Sequence, residues 1–384
     1  MHAVRLVLAA SLAGCGFSVG GGTGAMGSDG GTDTPEIDAP VPGDGPVDPD
    51  AMGGPKRRVK LTFQNGTRNL ALDNFVALVV LDPQRVDYGA IKANGANLRF
   101  TDSDGSVLDH QIDEWNAGGT SLVWVRVPRI DASSNADYIY MHYGDPALAD
   151  NQDPAGTWVG NTAVWHLAQD PGPGGAGDIK DSAGTNHGTA STGMQSGDLV
   201  AGAVGRGLQF PGTGTGITAN AITLTTYTWS MWIRGTTAPA VASSNKEPIN
   251  NGDVTFNFAW DHSLAAYVGA AAQRDSGGWR SVAPPALVAN TWYFLAGTYD
   301  GTNLCIYRDG NAGTCVASGA PQAPNGAFTL GLAASGSATF AGIIDEVRVS
   351  GAASPRLRLE AEHVNQRAAN ANPFVVFSPP EVEP

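Results

Sequence analysis

Thiols, carboxylates and aromatic rings are the groups in this sequence whose spacing could do chemistry. Cys305 and Cys315 flank Asp309-Gly310-Asn311, which reads as the turn of a hairpin. A three-residue loop sets position 308 against 312 and therefore 305 against 315, within disulfide reach. The pair predicts a disulfide, since a zinc site needs further ligands nearby and the sequence supplies none. Closing the eleven residues from 305 to 315 is worth about 2.5–3 kcal/mol on the chain-entropy model. Asp345 and Glu346 are adjacent, so an ordinary strand points them to opposite faces. The seven His stand singly, and neither G-x-S-x-G nor H-E-x-x-H occurs. Asp102-Ser103-Asp104-Gly105 lacks the ligand spacing and the distant Glu of an EF-hand, so a tight turn is expected there. Asp113 and Glu114, just before Trp115 on a strand edge, read as solvated.

Sugar recognition needs exposed rings with polar groups beside them. Trp229 shares its phase with Tyr227, Met231 and Ile233, and Trp260 shares a face with Phe256 and Phe258, so these read as core. Trp232 points the other way. Tyr267 is out of phase with Leu264, Ala266 and Val268. Trp279 follows the loop Asp275-Ser276-Gly277-Gly278, with Arg280 beside it. Trp232, Tyr267, Trp279 and Arg280 are the ligand-face candidates, against the plainer reading of packed or merely exposed side chains.

The elements that must position these groups are strands. The 384 residues include 51 Gly and 24 Pro, and only 15% are charged, a composition that excludes a coiled coil or helical bundle. Yet 42% are hydrophobic, with nine Trp, so much of the chain must fold. Short runs separated by turn residues begin at Arg57: an alternating one at 59–63, a nearly continuous apolar one at 75–81, and others at 98–101, 122–127 and 138–143. The one convincing helix is Arg356 to His363, opened by Ser354-Pro355, and Phe374 to Phe377 is strand-like and available to pair with a sheet. The fold class is all-β, with a small β-domain, a two-sheet antiparallel jelly-roll sandwich and one short C-terminal helix.

The formal charge of −14 excludes general nucleic-acid binding. Seven acidic residues and no basic one lie between Gly16 and Pro55. That Gly/Pro-rich stretch cannot bury enough surface to order itself and reads as a tether over 15–56. The start, MHAVRLVLAASLAGC, carries Arg5 and an apolar run too short to span a bilayer. It ends in Leu12-Ala13-Gly14-Cys15, which resembles the bacterial lipobox. The resemblance implies a signal peptide over 1–14 and acylation of Cys15; the alternative is an ordinary secretory signal cut after Ala13. Membrane contact is then through lipid alone, and the expected location is the bacterial cell envelope, outer membrane or cell surface rather than inner membrane.

LRFTDSDGSVLDHQIDEW followed by LVWVRVPRIDASSNADYIYMHYGDP resembles a bacterial β-domain of unknown function, DUF2341, over 57–149. It brings no catalytic residues. The ordered motifs Ala163–Leu167, Asp181–Gly188, Gly205–Phe210, Tyr227–Arg234, Asn290–Gly301 and Ile343–Val349 resemble a laminin-G-like jelly roll of the concanavalin A-like lectin/glucanase superfamily, over 158–350. Residues 351–384 remain as helix and tail. The resemblance implies one structural calcium, with Asp181, Asn186 and Asp345 as candidate ligands; their plainer role is turn chemistry. Glucanases of this superfamily carry E-x-D-x-x-E, and no Glu stands two before or three after Asp345. The expected function is non-catalytic recognition of carbohydrate at the cell surface. The alternatives are an adhesion module for a surface protein and, third, a glycoside-acting enzyme.

Overall fold

The computed structural model describes residues 55–175, 178–235, 246–261, 268–333, 335–336, 339–367 and 373–383. The signal segment, Cys15 and the tether therefore lie outside the described residues, as do Leu264, Ala266, Tyr267 and the side chain of Trp260. In chain order the first region holds β1 (Arg57–Phe63), β2 (Leu72–Leu81), β3 (Arg99–Asp102), β4 (His110–Glu114), β5 (Ser121–Ile130) and β6 (Tyr138–Tyr143). A short helix, α1 (Pro154–Thr157), leads out of it. The second region holds β7 (Ala163–Trp165), β8 (Thr189–Ala190), β9 (Leu199–Ala201), β10 (Arg206–Pro211), β11 (Ile217–Ala219), β12 (Tyr227–Gly235), β13 (Lys246–Asn251) and β14 (Phe256–Asp261). It continues with β15 (Val268–Asp275), β16 (Gly278–Val282), β17 (Tyr293–Tyr299), β18 (Asn303–Arg308), β19 (Thr314–Ala317), β20 (Phe328–Leu330) and β21 (Ala341–Ser350). The chain ends in α2 (Arg356–Gln366), β22 (Val375–Phe377) and β23 (Glu381–Val382). No helix among the described residues is long and apolar enough to cross a membrane.

The second region is a two-sheet sandwich. One sheet runs β19-β18-β17-β12-β21-β10-β9 with β7 beside β21; the other runs β16-β15-β14-β13-β20-β11-β8. Period-two alternation sends Tyr227, Trp229, Met231 and Ile233 of β12 into the core between the sheets, where Phe256 and Phe258 of β14 meet them. Ring centroids of Trp229 and Phe258 lie 5.9 Å apart.

The first region also pairs two sheets, β22-β1-β6-β3 and β2-β5-β4. Its outermost strand, β22, comes from the far end of the chain: Leu61 pairs with Phe377 and Phe63 with Val375. The tail therefore completes the sheet of the first domain, and Phe374 fills its core beside Phe75, at 5.1 Å. The continuous apolar run of β2 is explained by burial on both faces. Phe75, Ala77, Val79 and Leu81 face the first domain's own core. Val76, Leu78 and Val80 enter a third core with Leu122, Trp124, Trp158, Trp232, Phe294 and Leu359. That third core joins the two domains and α2.

α2 begins at Pro355 rather than on a Ser354 side-chain cap, and it runs three residues past His363. Its buried end does specific work. β2 is the edge of its sheet, and Asn365 serves that edge as a strand would: Oδ1 accepts from Leu78 N at 3.0 Å and Nδ2 donates to Val76 O at 3.1 Å.

Candidate functional site

The outward face of the β16-to-β8 sheet carries a register-aligned polar row. Thr189 pairs with Thr218, Thr218 with Thr329, Thr329 with Asn250, Asn250 with Asn257, Asn257 with Ala272 and Ala272 with Ser281. Their chain neighbours Ile217, Phe328, Ile249, Phe256, Ala271 and Val282 all enter the sandwich core, so the row lies on the opposite side. Asn257 is buried with no partner for Oδ1. Asn250 is held by Asp253, whose Oδ1 accepts from Nδ2 at 3.1 Å, and by Glu247, whose carboxyl burial pushes above the ordinary glutamate range.

At the edge of this face stands Trp279, paired with Arg274. It is 50% exposed, and no other aromatic side chain among the described residues is as open. Arg274 and Ser281 are exposed beside it. The sequence set Trp279 just after the 275–278 loop with Arg280 as its companion. Both sit within β16, so Arg280 takes the other phase. Arg280 Nε lies 3.0 Å from Asp275 Oδ2, and Asp275 also accepts the backbone N–H groups of Gly277 and Gly319. Arg280 thus fastens the hairpin, and Arg274 is the cation on the Trp279 face.

Trp232 does point away from the sandwich core, but it is not a ligand surface. It is 4% exposed, its Nε1 donates to Gln366 Oε1 at 2.8 Å, and Phe294 and His363 pack on its ring. α2 and the first domain cover the face that the sequence alone left open.

The calcium candidates are also spoken for. Asp181 Oδ1 accepts from Val164 N and Ala183 N, and Oδ2 from Asn186 N, at 2.9–3.0 Å. The Asn186 amide exchanges two hydrogen bonds with the Asn220 backbone. Asp345 is buried, with Oδ2 accepting from Val204 N at 2.8 Å. These side chains serve backbone in two places, the 181–186 loop and β21, rather than converging on one cation. The DSDG segment is a turn, with Gly105 N donating to Asp102 O. Cys305 and Cys315 are directly paired in register and joined, S–S 2.01 Å. The turn between them takes positive φ at Asp309 (56°) and Gly310 (70°), the left-handed pair that matches hairpin twist.

The acidic pair on β21 departs from the expected alternation. Ser230 pairs with Arg348 and Trp232 with Asp345, so the ladder slips by one residue between them. Glu346 takes φ 51° as the extra residue of a β-bulge. Ile344 and Val347 remain in the core, while Asp345, Glu346 and Arg348 all face the first domain.

There they meet a buried cluster that spans the domain junction. Asp113, read from sequence as solvated, has its side chain only 4% exposed. Glu114 reaches across to the backbone of Arg206. His166 Nδ1 lies 2.7 Å from Glu346 Oε1 and 3.7 Å from Asp113 Oδ2, and its Nε2 faces Gln111 Oε1 at 3.3 Å. Trp158 Nε1 donates to that same Gln111 oxygen at 2.6 Å. Burial pulls His166 toward neutrality, but Asp113 and Glu346 outweigh it and hold its pKa above the ordinary value. Burial likewise opposes ionisation of Glu346, yet His166 and Arg348 keep its pKa below the usual range. Asp345 goes the other way: burial, then the Glu346 charge, lift it well above. Asp113, His166 and Glu346 offer three ligand atoms within 4.8 Å, a donor set able to hold a metal ion. Arg348 already binds Glu346 at 2.7 Å and competes for it, which favours an ion-pair network joining the domains.

Residues 94–164 match the family model of a domain of unknown function, DUF2341, and residues 211–356 match that of the concanavalin A-like lectin/glucanases superfamily. The chain carries these two domains in the order that its motifs indicated. Among curated proteins, none matches the chain. Similar solved structures include domain 4 of a GH43 extracellular arabinanase from Geobacillus stearothermophilus in complex with arabinotriose. It is 16% identical, with 52% of this chain and 96% of that one covered and a TM-score of 0.40. The ligand binding domain of botulinum neurotoxin serotype D in complex with N-acetylneuraminic acid is 10% identical, with 53% and 50% covered and a TM-score of 0.40. The binding domain of Paraclostridial Mosquitocidal Protein 1 is 13% identical, with 52% and 51% covered and a TM-score of 0.40. The chain spans about half the length of the two toxin domains.

Proposed function

We propose that this protein is a non-catalytic carbohydrate-recognition protein held at the bacterial cell surface by a lipid on Cys15, with the concanavalin A-like domain contacting the glycan. The observation that carries the reading is Trp279, an open indole at the rim of a polar sheet face. A pyranose ring stacks its C–H face on such an indole, and the exposed Arg274 and Ser281 stand beside it to hydrogen-bond hydroxyls. The superfamily match supports the same reading, since the superfamily includes lectins. Against hydrolysis at the adjacent acids of β21 stands their state: Asp345 and Glu346 are both fully buried and committed to backbone, His166 and Arg348.

The test is a broad glycan array probed with the full exported chain, followed by titration of any hit. Trp279→Ala is expected to weaken binding at least tenfold while leaving the melting temperature unchanged, because Trp279 contributes little to the core. Binding that survives Trp279→Ala undiminished refutes this placement of the site. Silence across the array favours a protein partner instead. The anchor is checked by mass analysis of the membrane-extracted protein and of Cys15→Ser, which should be released as a soluble form.

A further inference from the structure

Trp279 and Arg274 are paired directly across β16 and β15, so their Cβ atoms stand about 5 Å apart on the outward face of the sheet. Both side chains are exposed, and neither is engaged within the protein. Among the described residues the indole has no ring partner and no hydrogen bond. The Arg274 guanidinium has no hydrogen bond, no carboxylate in ion-pair contact and no ring beneath it. Its backbone is fixed, N donating to Val254 O at 2.9 Å and O accepting from Gln322 N at 2.8 Å. The surrounding acids are turned elsewhere. Asp275, the next residue, takes the opposite phase and is 3% exposed, closed by Arg280 and by the N–H groups of Gly277 and Gly319. Asp253, on the turn that Val254 continues, accepts from Asn250 Nδ2 at 3.1 Å, and Glu247 is buried against the same amide. In a chain with 36 acidic and 22 basic residues, an aromatic platform flanked by a bare guanidinium is a local positive spot.

That pairing says which sugar the platform suits. A neutral sugar is served by hydroxyls such as Ser281 and gains little from a full charge. A carboxylate gains much more, because the guanidinium fork meets both of its oxygens and charge-assisted hydrogen bonds are roughly twice as strong as neutral ones. The position agrees. The carboxylate of a hexuronate leaves C5 near the plane of the pyranose ring, so a ring stacked on the indole projects it sideways, where Arg274 stands. β16 is the last strand of its sheet, so a polymer can run past the rim in both directions. We propose that the Trp279 site is specific for acidic polysaccharide, taking one hexuronate unit with its ring on Trp279, its carboxylate on Arg274 and a hydroxyl on Ser281. The proposal rests on the carbohydrate reading and narrows it to a substrate class.

The experiment is calorimetric titration of the full chain with tetrasaccharides of galacturonate, of mannuronate and of hyaluronan. Each is run beside its carboxyl-reduced form, which keeps the ring and hydroxyls and loses the charge. The unmodified protein is compared with Arg274→Gln, Arg274→Lys and Trp279→Ala, with the melting temperature as the check on folding. Arg274 has no side-chain partner to lose, so its variants should melt as the unmodified protein does. At least one acidic tetrasaccharide should bind about fivefold or more tightly than its reduced form, and should weaken by a similar factor in Arg274→Gln. Its affinity should also fall as sodium chloride rises from about 50 to about 500 mM. Arg274→Lys, which keeps the charge but not the fork, should lie between. The reduced forms should be indifferent to Arg274→Gln and to salt, while Trp279→Ala weakens both forms. Equal affinity for acidic and reduced forms, or acidic binding unmoved by Arg274→Gln, overturns the carboxylate assignment and leaves the carbohydrate reading standing. A neutral glycan bound through Trp279 while all three acidic chains fail does the same. Binding to no acidic or neutral sugar overturns both.

Discussion

Single residues in this protein are governed by how far burial outweighs charge. His110, at the start of β4, sits against Phe100 at 5.1 Å, and burial first, then the Arg99 charge, lower its pKa to about 4. A folded pKa below the unfolded value near 6.5 contributes stability that is complete above pH 6.5 and is lost as pH falls toward 4. A shift of that size corresponds to about 3 kcal/mol. Urea titrations at pH 7 and pH 4.5 should show that loss, and His110→Phe should flatten it; equal pH dependence in the variant would refute the assignment. The adjacent acids on β21 should also respond differently. Asp345 holds its proton far above the usual range, so Asp345→Asn is expected to cost under about 1 kcal/mol. Glu346→Ala strands His166 and Arg348 in the interior and should cost about 3–5 kcal/mol by the same measurement. The sequence showed two carboxylates side by side. It could not show that a bulge turns both toward the first domain, because the slip arises from pairing across β12.

Among the elements, strands were legible from the pattern and their partners were not. Alternation in β12 identified its core face correctly, and Cys305 and Cys315 announced their hairpin, because both signals are local. The opposite face of β12 read as free surface, yet α2 and the first domain bury it through contacts more than a hundred residues apart. α2 illustrates the point: its sequence shows a short helix, and only the fold shows Asn365 closing the edge of β2. Asn365→Leu should therefore destabilise the protein by about 2–4 kcal/mol, from two lost hydrogen bonds to buried backbone groups. Guanidinium denaturation measures this directly, and a loss under about 0.5 kcal/mol would show that the edge finds other partners. Replacing both cysteines by Ser should remove about 2–3 kcal/mol by the same assay, or less if the unfolded hairpin is already compact.

For the molecule as a whole, the shared packing of the two folded regions predicts that they unfold as one cooperative unit. The third core draws Val76, Leu78, Val80 and Trp124 from one domain, Trp232 and Phe294 from the other, and Leu359 from α2. The first domain also needs β22 and Phe374 from the far terminus. Residues 57–149 expressed alone should accordingly aggregate or bind a hydrophobic dye, and residues 158–384 alone should do the same. The chain from 55 to 384 should melt in a single transition. Two resolved transitions, or a well-folded isolated fragment, would contradict this coupling.

The sequence by itself determined the all-β class, the two family resemblances, the disulfide and the core-facing phase of the main strands. Each follows from residue type and short-range periodicity, which act within a few residues along the chain. The tertiary structure decided which aromatic is open, which carboxylates are buried, and where the domains meet. Trp232 and Trp279 are equally plausible ligand platforms as isolated letters. Their difference comes from what packs on them: α2 seals the first, while edge strand β16 leaves the second uncovered. Burial of a strand's second face is set by contacts across the whole chain, and the local pattern that marks the core face does not encode it.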